Sequence, residues 1–280
     1  MKKALLAVAA VVIGGTATAN AFTLHERELS GVNIYPVIEK FNYKEYKNGK
    51  EIDKEDGTLK GVGIEFEGYE KFLGLPIYSS LMFEFLTGDT DYTGAIVDTQ
   101  TGQETPYSST TDNKIFRTRF EAGPYFRFNV GRDKEWQVTV IPAFNYGGRR
   151  WERDMDVQGR TQDETYGWIY WGGSLDLRIR KSKFYFGAKT YYHKNLGFHK
   201  IKVETDTAET TLDLGDIHSW GIELKTGYDF SKRFGVWGAY EYRYTHIDEG
   251  EMGDLGGVPV YEPESKTREH VFSVGVALRW

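Results

Sequence analysis

The chain has 280 residues, with 35 Lys and Arg against 41 Asp and Glu, a formal net charge of −6, and no cysteine. Without cysteine, disulfides, haem-thiolate groups and cysteine-ligated zinc sites are excluded, and the acidic balance argues against nucleic acid as a partner. Aromatic residues make up 15% of the chain and the mean hydropathy is −0.52, which argues against a protein built from transmembrane helices.

The first 21 residues have the form of a secretory signal peptide. Met1-Lys2-Lys3 is a short basic start, residues 4–13 are an apolar run too short to span a bilayer, and Ala19-Asn20-Ala21 has the small-x-small form of a cleavage site. We expect cleavage after Ala21, so that residues 22–280 form one exported domain. No later apolar run is long enough for a membrane helix, and a membrane-spanning form would have to be a closed barrel.

Ten segments alternate apolar and polar residues with the period of two that is typical of strands. They cover residues 30–46, 59–72, 78–92, 114–130, 135–153, 166–180, 184–203, 217–230, 234–247 and 270–280. Short turns alternate with long polar loops, and the loops cover residues 47–58, 93–113, 154–165, 204–216 and 248–265. This layout predicts an all-β fold, a ten-stranded antiparallel transmembrane β-barrel in an up-and-down meander with both termini on the side of the short turns.

The last segment has one apolar face and one small or polar face. Phe272, Val274, Val276, Leu278 and Trp280 share the apolar face, and the chain stops on the aromatic residue. The segment resembles the closing strand of bacterial outer-membrane β-barrels, which their assembly machinery reads. The resemblance implies a monomer in the outer membrane of a Gram-negative cell, with outer-membrane lipid, lipopolysaccharide and that machinery as partners. The alternative is an edge strand of a soluble β-sandwich.

The opposite faces of the predicted strands carry charges of both signs. Because a narrow barrel has room only for side chains inside, neighbouring opposite charges should pair and fill the lumen. The alternative is a small passive pore. The inward acids are Glu65, Glu67, Glu84, Glu121, Asp176, Glu223 and Glu241, and the inward bases are Arg117, Arg119, Arg127, Arg178, Lys225, Arg243 and Arg279.

Two acidic motifs lie at the ends of the long connections. Asp89 and Asp91 form an Asp-x-Asp, and Asp216 and His218 form an Asp-x-His. A carboxylate beside a histidine can orient the imidazole so that it activates a water. The motifs and the strand count resemble omptins, ten-stranded outer-membrane proteases with an Asp-x-Asp and an Asp-x-His facing each other across a groove. The resemblance implies that these four residues are catalytic, although the Trp-Thr-Asp-x-Ser-x-His-Pro stretch of that family is missing.

The remaining histidines and acids suggest no cofactor and no metal site. His193 and His199 lie six residues apart on one predicted strand without a further ligand pattern, and the acidic loops lack the spacing of a calcium loop. These loops could attract Ca²⁺ or basic ligands, or simply form a hydrated cell surface. The sequence therefore predicts a non-enzymatic surface or structural protein, with an omptin-like protease as the alternative and a small pore as the third possibility.

Overall fold

The computed structural model describes residues 30–97, 104–132, 135–157 and 160–280. The predicted signal peptide lies outside these residues. The described chain forms fourteen strands: β1 Gly31–Lys47, β2 Lys50–Phe72, β3 Leu75–Val97, β4 Glu104–Pro124, β5 Phe126–Val130, β6 Trp136–Val157, β7 Arg160–Lys181, β8 Phe184–Thr205, β9 Glu209–Asp213, β10 Ile217–Asp229, β11 Phe234–Ile247, β12 Gly253–Leu255, β13 Val258–Val260 and β14 Glu264–Arg279.

Twelve of these strands form one sheet that closes on itself. The strands pair in the order β1, β2, β3, β4, β6, β7, β8, β10, β11 and β14, and β14 pairs with β1. β5 also pairs with β6, and β9 also pairs with β8. β4 and β5 occupy one position in the wall, and β9 and β10 occupy another. The twelve strands therefore fill ten positions. Pro124 has no backbone N–H, which accounts for the break between β4 and β5. The predicted fold, a ten-stranded antiparallel meander barrel, is confirmed.

Tight turns join the strands at both ends of the barrel. Asn48 and Gly49 connect β1 to β2 with φ values of 52° and 76°. Leu73 and Gly74 connect β2 to β3 with φ values of 52° and 82°. Two central residues with positive φ match the right-handed twist of paired strands. The register of each of these hairpins is therefore fixed by a two-residue turn.

A belt of exposed apolar side chains surrounds the end of the barrel that carries the termini. It includes Ile38, Phe85 and Phe116, and Val274 is 67% exposed. A closed barrel with an apolar exterior satisfies every wall hydrogen bond while presenting hydrocarbon to lipid, which is the architecture of outer-membrane proteins. The chain is an outer-membrane β-barrel. On the predicted apolar face of the closing strand, Phe272, Val274, Leu278 and Trp280 are exposed. The described residues contain no helix that is long and apolar enough to cross a membrane.

Cations stand directly above the belt on six wall strands. They are the first charged outward residues on β1, β2, β4, β6, β8 and β14, namely Lys40, Lys60, Lys114, Arg150, Lys194 and Arg268. We call this set the basic rim. It marks the boundary between the membrane-spanning part of the barrel and an extracellular extension.

The extension is taller than the sequence predicts. Residues 47–58, 93–113 and 154–165 were expected to be loops, but within the described residues they continue the strands β1 to β4, β6 and β7 far above the rim. The prediction of loops there is wrong. Above the membrane the outer face of a strand meets water instead of lipid, so its apolar period disappears although its backbone stays paired.

The extension has an apolar core inside the barrel. Leu59, Leu86, Ile115, Ile201 and Ile217 are fully or almost fully buried there. Trp151 stacks on Tyr166 at a centroid distance of 4.8 Å. The β12–β13 hairpin covers this core through Leu255 and Val260. The extracellular end of the lumen is therefore filled and capped.

Inward aromatic rings also pack on inward glycines of a neighbouring strand. A Cβ added to Gly63 would lie 2.3 Å from the ring of Tyr35, and one added to Gly221 would lie 2.4 Å from the ring of Tyr191. Glycine leaves the wall free for the ring to lie against the backbone. These contacts fix the orientation of the rings that carry hydroxyl groups into the lumen.

Candidate functional site

The Asp-x-Asp motif lies on the outer wall of β3. Asp89 and Asp91 are exposed and share the face of Phe85, which belongs to the apolar belt. Thr90 between them points into the barrel, where its hydroxyl donates to Glu55 at 2.9 Å. The two carboxylates therefore face the surrounding solvent and not the lumen.

The Asp-x-His motif lies on the outer wall at the start of β10. Asp216 pairs with Lys194 at 2.9 Å, which lowers the pKa of its carboxyl group. His218 shares the outward face of Trp220, and its Nε2 lies 3.2 Å from Nδ1 of His246. Partial burial, and then the neighbouring His246, lower the pKa of His218. Asp216 is thus engaged by a lysine, and the nearest ring partner of His218 is another histidine.

The structure does not bring the two motifs together. β3 and β10 are separated by four wall strands in each direction around the barrel. Strands roughly 4.8 Å apart and tilted about 40° give a ten-stranded barrel a diameter of about 20 Å. Because both motifs also face outward, the barrel wall stands between them. A single water within hydrogen-bond reach of His218 and Asp89 does not fit this arrangement.

Inside the membrane-spanning part, inward charges pair across the lumen. Arg117, Glu121, Arg178 and Glu67 were predicted from the sequence, and their partners Glu39 and Lys189 were not. Arg117 donates two hydrogen bonds to Glu39, at 2.7 and 2.9 Å. Lys189 contacts Glu121 at 3.0 Å, and Arg178 contacts Glu67 at 2.9 Å. These pairs connect strands that are not neighbours in the wall, so they fill the lumen at this level.

Glu269 is the centre of this network. Its Oε1 accepts hydrogen bonds from Arg117 at 2.8 Å and from Arg149 at 2.7 Å, and its Oε2 accepts one from Arg243 at 3.2 Å. Sequence reasoning missed Glu269, although it lies on the inward face of the closing strand two residues before Val271. The period-two pattern could have placed Glu269 on the inward face, but it could not show that Arg117, Arg149 and Arg243 would meet there.

A second cluster lies above the rim, where Arg153 is the central cation. Arg153 pairs with Glu55 and with Glu164, the latter at 2.6 Å, and Glu45 lies 3.7 Å away. Glu262, from the segment between β13 and β14, accepts a hydrogen bond from Tyr166 at 2.9 Å. We call the five acids Glu45, Asp53, Glu55, Glu164 and Glu262 the mouth cluster.

Burial, together with neighbouring acids, raises the pKa of three members of the mouth cluster. Burial raises the pKa of Asp53 to about 6, and burial together with Asp53 raises the pKa of Glu45 well above its usual range. The pKa of Glu262 is raised by burial and then by Glu45 and Glu164. Protonation removes the repulsion that one arginine cannot balance. We therefore expect the contact of Glu262 with the barrel to depend on pH.

A row of acids crosses the outer wall of the extension. Asp89 is opposite Asp112, Asp112 is opposite Asp154, and Asp154 is opposite Asp163. The row continues through Glu204 and Glu209 on β8 and β9. We call these six residues the acidic row. Directly opposed like charges repel, although Lys114 contacts Asp154 at 3.1 Å and Lys202 contacts Glu204 at 2.7 Å.

The sequence shows the acids of this row but not their alignment. Register across strands separated by loops is set by the closed sheet, and a shift of one residue would turn each side chain to the other face.

Within the described residues, the structure contains no group of three or more His, Asp or Glu with the geometry of a metal site. His193 lies inside the barrel, where its Nε2 contacts Asn145 at 3.0 Å.

Comparison with known proteins finds similarity in structure but no match in sequence. No protein-family model matches the sequence, and no curated protein matches it. The structure is similar to the outer membrane protease OmpT from Escherichia coli, with a TM-score of 0.56 at 9% identity, over 93% of this chain and 99% of that chain. The outer membrane protein OprG from Pseudomonas aeruginosa matches with a TM-score of 0.36 at 10% identity, over 90% of this chain and 96% of that one. At 9% identity, the similarity to OmpT shows the fold alone.

Proposed function

We propose that this chain is a non-enzymatic surface protein of the outer membrane, a closed monomeric barrel that presents a hydrated acidic wall to the outside. The observation that carries the proposal is the filling of the lumen at two levels. The ion pairs around Glu269 fill the membrane-spanning part, and the apolar core under the β12–β13 hairpin fills the extension. Filling of this kind argues against a continuous aqueous path through the lumen.

The alternative of an omptin-like protease needs Asp89, Asp91, Asp216 and His218 to meet at one water. Both motifs face outward, and β3 and β10 lie on opposite sides of the barrel. This geometry favours a surface role for these residues: Asp216 pairs with Lys194, and Asp89 belongs to the acidic row. The small-pore alternative is disfavoured by the paired lumenal charges.

Two measurements test the proposal. The barrel is refolded into planar bilayers that contain lipopolysaccharide, and steady conductance is recorded; the expected result is no open channel. The same sample is incubated with a dibasic fluorogenic peptide beside a His218→Ala control, and equal background rates are expected. A reproducible channel would support the pore, and turnover lost in His218→Ala would support the protease.

We also propose lipopolysaccharide as the lipid partner, because the basic rim stands where the phosphates of the outer leaflet lie. Lys40, Lys60 and Arg268 are exposed on three adjacent strands, and none of them forms an ion pair in the described structure. Cations beside an anionic membrane surface each attract it by about 1 kcal/mol. The closing strand β14 would be read by the assembly machinery through its outward apolar face.

The lipid proposal is tested with a triple variant, Lys40→Gln, Lys60→Gln and Arg268→Gln. Its heat stability in lipid A vesicles is compared with that in phosphatidylcholine vesicles. We expect lipid A to stabilise the wild type and to stabilise the triple variant less. Lys202→Gln, which removes a cation paired with Glu204 above the rim, is the control and should behave as the wild type. Equal lipid A stabilisation of wild type and triple variant would contradict the proposal.

A further inference from the structure

A cavity of about 40 Å³ lies inside the barrel near the level of the rim. Four arginines line it, Arg117, Arg119, Arg149 and Arg243, together with His193 and Ser219. Among the described residues, its lining contains no Asp or Glu. The cavity is therefore bordered by cations, although the lumen around it contains charges of both signs.

Three of these arginines have N–H groups without an acceptor. They are Nε of Arg117, Nε of Arg119, which lies 3.2 Å from Oε1 of Glu121 without forming a hydrogen bond to it, and both Nε and Nη2 of Arg149. The three side chains are more than nine-tenths buried, with exposures of 4%, 6% and 7%. A buried donor without an acceptor costs about 1–3 kcal/mol, and more when the group is charged. Several unmet donors around one cavity therefore indicate a missing acceptor.

Arg149 shares its counter-ion with two of the other arginines. Within the described residues its ion pair is with Glu269, at 2.7 Å, and Glu269 also pairs with Arg117 and Arg243. The guanidinium of Arg149 lies over the rings of Trp151 and Trp168, at 5.5 and 5.3 Å. The two rings attract the cation but offer its N–H groups no conventional acceptor, so the unmet N–H groups of Arg149 remain available to an anion.

We propose that this cavity is a binding site for a small inorganic anion of the size of chloride, with Arg149 as its main ligand and Arg117 and Arg119 as supporting donors. A water needs at least about 10–15 Å³ of such volume, so a cavity of 40 Å³ has room for a halide. A halide accepts several N–H donors at once and supplies the negative charge that Glu269 divides among three arginines. The anion would hold the centre of the lumenal network together.

The first experiment is crystallographic. The barrel is refolded from denaturant in sodium bromide, so that the ion can enter before the wall closes, and the anomalous signal of bromide is measured. The expected result is a bromide peak in the cavity beside Nε and Nη2 of Arg149. Electron density for water without anomalous signal at that position would overturn the proposal.

The second experiment measures heat unfolding on cold gels in sodium bromide and in sodium gluconate at equal ionic strength. Gluconate is too large for the cavity. We expect the unfolding midpoint of the wild type to rise with bromide, because a ligand of the folded state stabilises it, and Arg149→Met to lose this rise. Arg127→Met is the matched control, since Arg127 also has two unmet N–H groups but does not line the cavity.

The outcomes separate a bound anion from a general salt effect. An equal bromide dependence in Arg149→Met and in the wild type would overturn the proposal. Loss of the dependence in both Arg149→Met and Arg127→Met would also overturn it, because the effect would then follow from total charge. If Arg149→Met does not fold, the bromide peak in the wild type decides alone.

Discussion

Arg117 on β4 and Glu39 on β1 form a bidentate ion pair across the lumen, with N–O distances of 2.7 and 2.9 Å. Two wall strands separate β1 from β4, so the pair bridges the interior instead of linking neighbours. Both side chains are buried, with exposures of 5% and 0%. The pair therefore connects distant parts of the wall through the inside of the barrel.

Breaking this pair from one side should destabilise the barrel strongly. Glu39→Gln is expected to lower the free energy of unfolding by about 3 kcal/mol, because Arg117 keeps a buried charge with less compensation. The measurement is guanidinium unfolding in lipid vesicles. Glu51→Gln removes one partner of the exposed pair with Lys44 and should cost less than about 1 kcal/mol. Equal costs of the two substitutions would show that the lumenal pair is not buried as described.

The contact between Tyr191 and Gly221 predicts that adding one methyl group at Gly221 destabilises the barrel. Gly221→Ala would place its Cβ 2.4 Å from the Tyr191 ring, and the ring, which also bonds Glu241, would have to move. Overpacking of this kind costs about 1–3 kcal/mol. Gly238→Ala is the control, because its Cβ would meet only Ser273 O at 3.7 Å. The unfolding temperatures of the two variants would be compared by heat-modified mobility on gels. A Gly221→Ala variant as stable as the wild type would contradict the packing.

The mouth cluster predicts that the cap is more stable at acidic pH. Glu45, Asp53 and Glu262 have raised pKa values, and that of Asp53 is about 6. Groups with raised pKa values bind more protons in the folded state, so their stabilisation is complete below their unfolded pKa and is lost as the pH rises through the folded value. Hydrogen-exchange protection of the β12–β13 hairpin should therefore fall between pH 5 and about pH 7.

Substitutions in the cap test the origin of this pH dependence. Glu262→Gln keeps a neutral side chain at all pH values and should flatten the change in protection. Glu249→Gln, on the exposed segment before β12, should leave it as in the wild type. If protection in the wild type rises with pH, the mouth cluster is not protonated as inferred.

The acidic row predicts that removing one of its charges stabilises the extension. Asp163 is opposite both Asp154 and Glu204 and forms no ion pair within the described residues. Asp163→Asn should raise the free energy of unfolding by about 0.5 kcal/mol, since opposed like charges destabilise a sheet. Asp216→Asn instead loses the pair with Lys194 and should not stabilise. Salt should reduce the difference between the two variants, and a destabilising Asp163→Asn would contradict the repulsion.

The apolar belt predicts that the cost of a charged substitution on the outward face depends on its depth in the membrane. Val274→Arg, in the middle of the outward face of β14, should destabilise the folded barrel in bilayers by about 2–4 kcal/mol. Leu278→Arg, near the end of the same strand, should cost only about 0–1 kcal/mol. Folding titrations in vesicles would measure both, and equal costs would place the belt elsewhere.

Much of the membrane-spanning part could be predicted from the sequence. A strand between lipid and a charged lumen must alternate, so Phe116 and Phe120 outside and Arg117 and Arg119 inside were assigned correctly. The strand count followed from the same period. The extension was missed because both sides of a strand above the membrane can be polar, which leaves no period to read.

The tertiary structure alone decided which residues meet. Asp89, Asp91, Asp216 and His218 form short motifs that are compatible with a shared site, yet the order and register of the strands direct them outward on opposite sides of the barrel. The same register aligns Asp89 with Asp112 and brings Arg149 to Glu269. Local alternation fixes which face a side chain is on, whereas its partner across the wall or the lumen depends on closure of the whole sheet, which couples residues that are far apart in the chain.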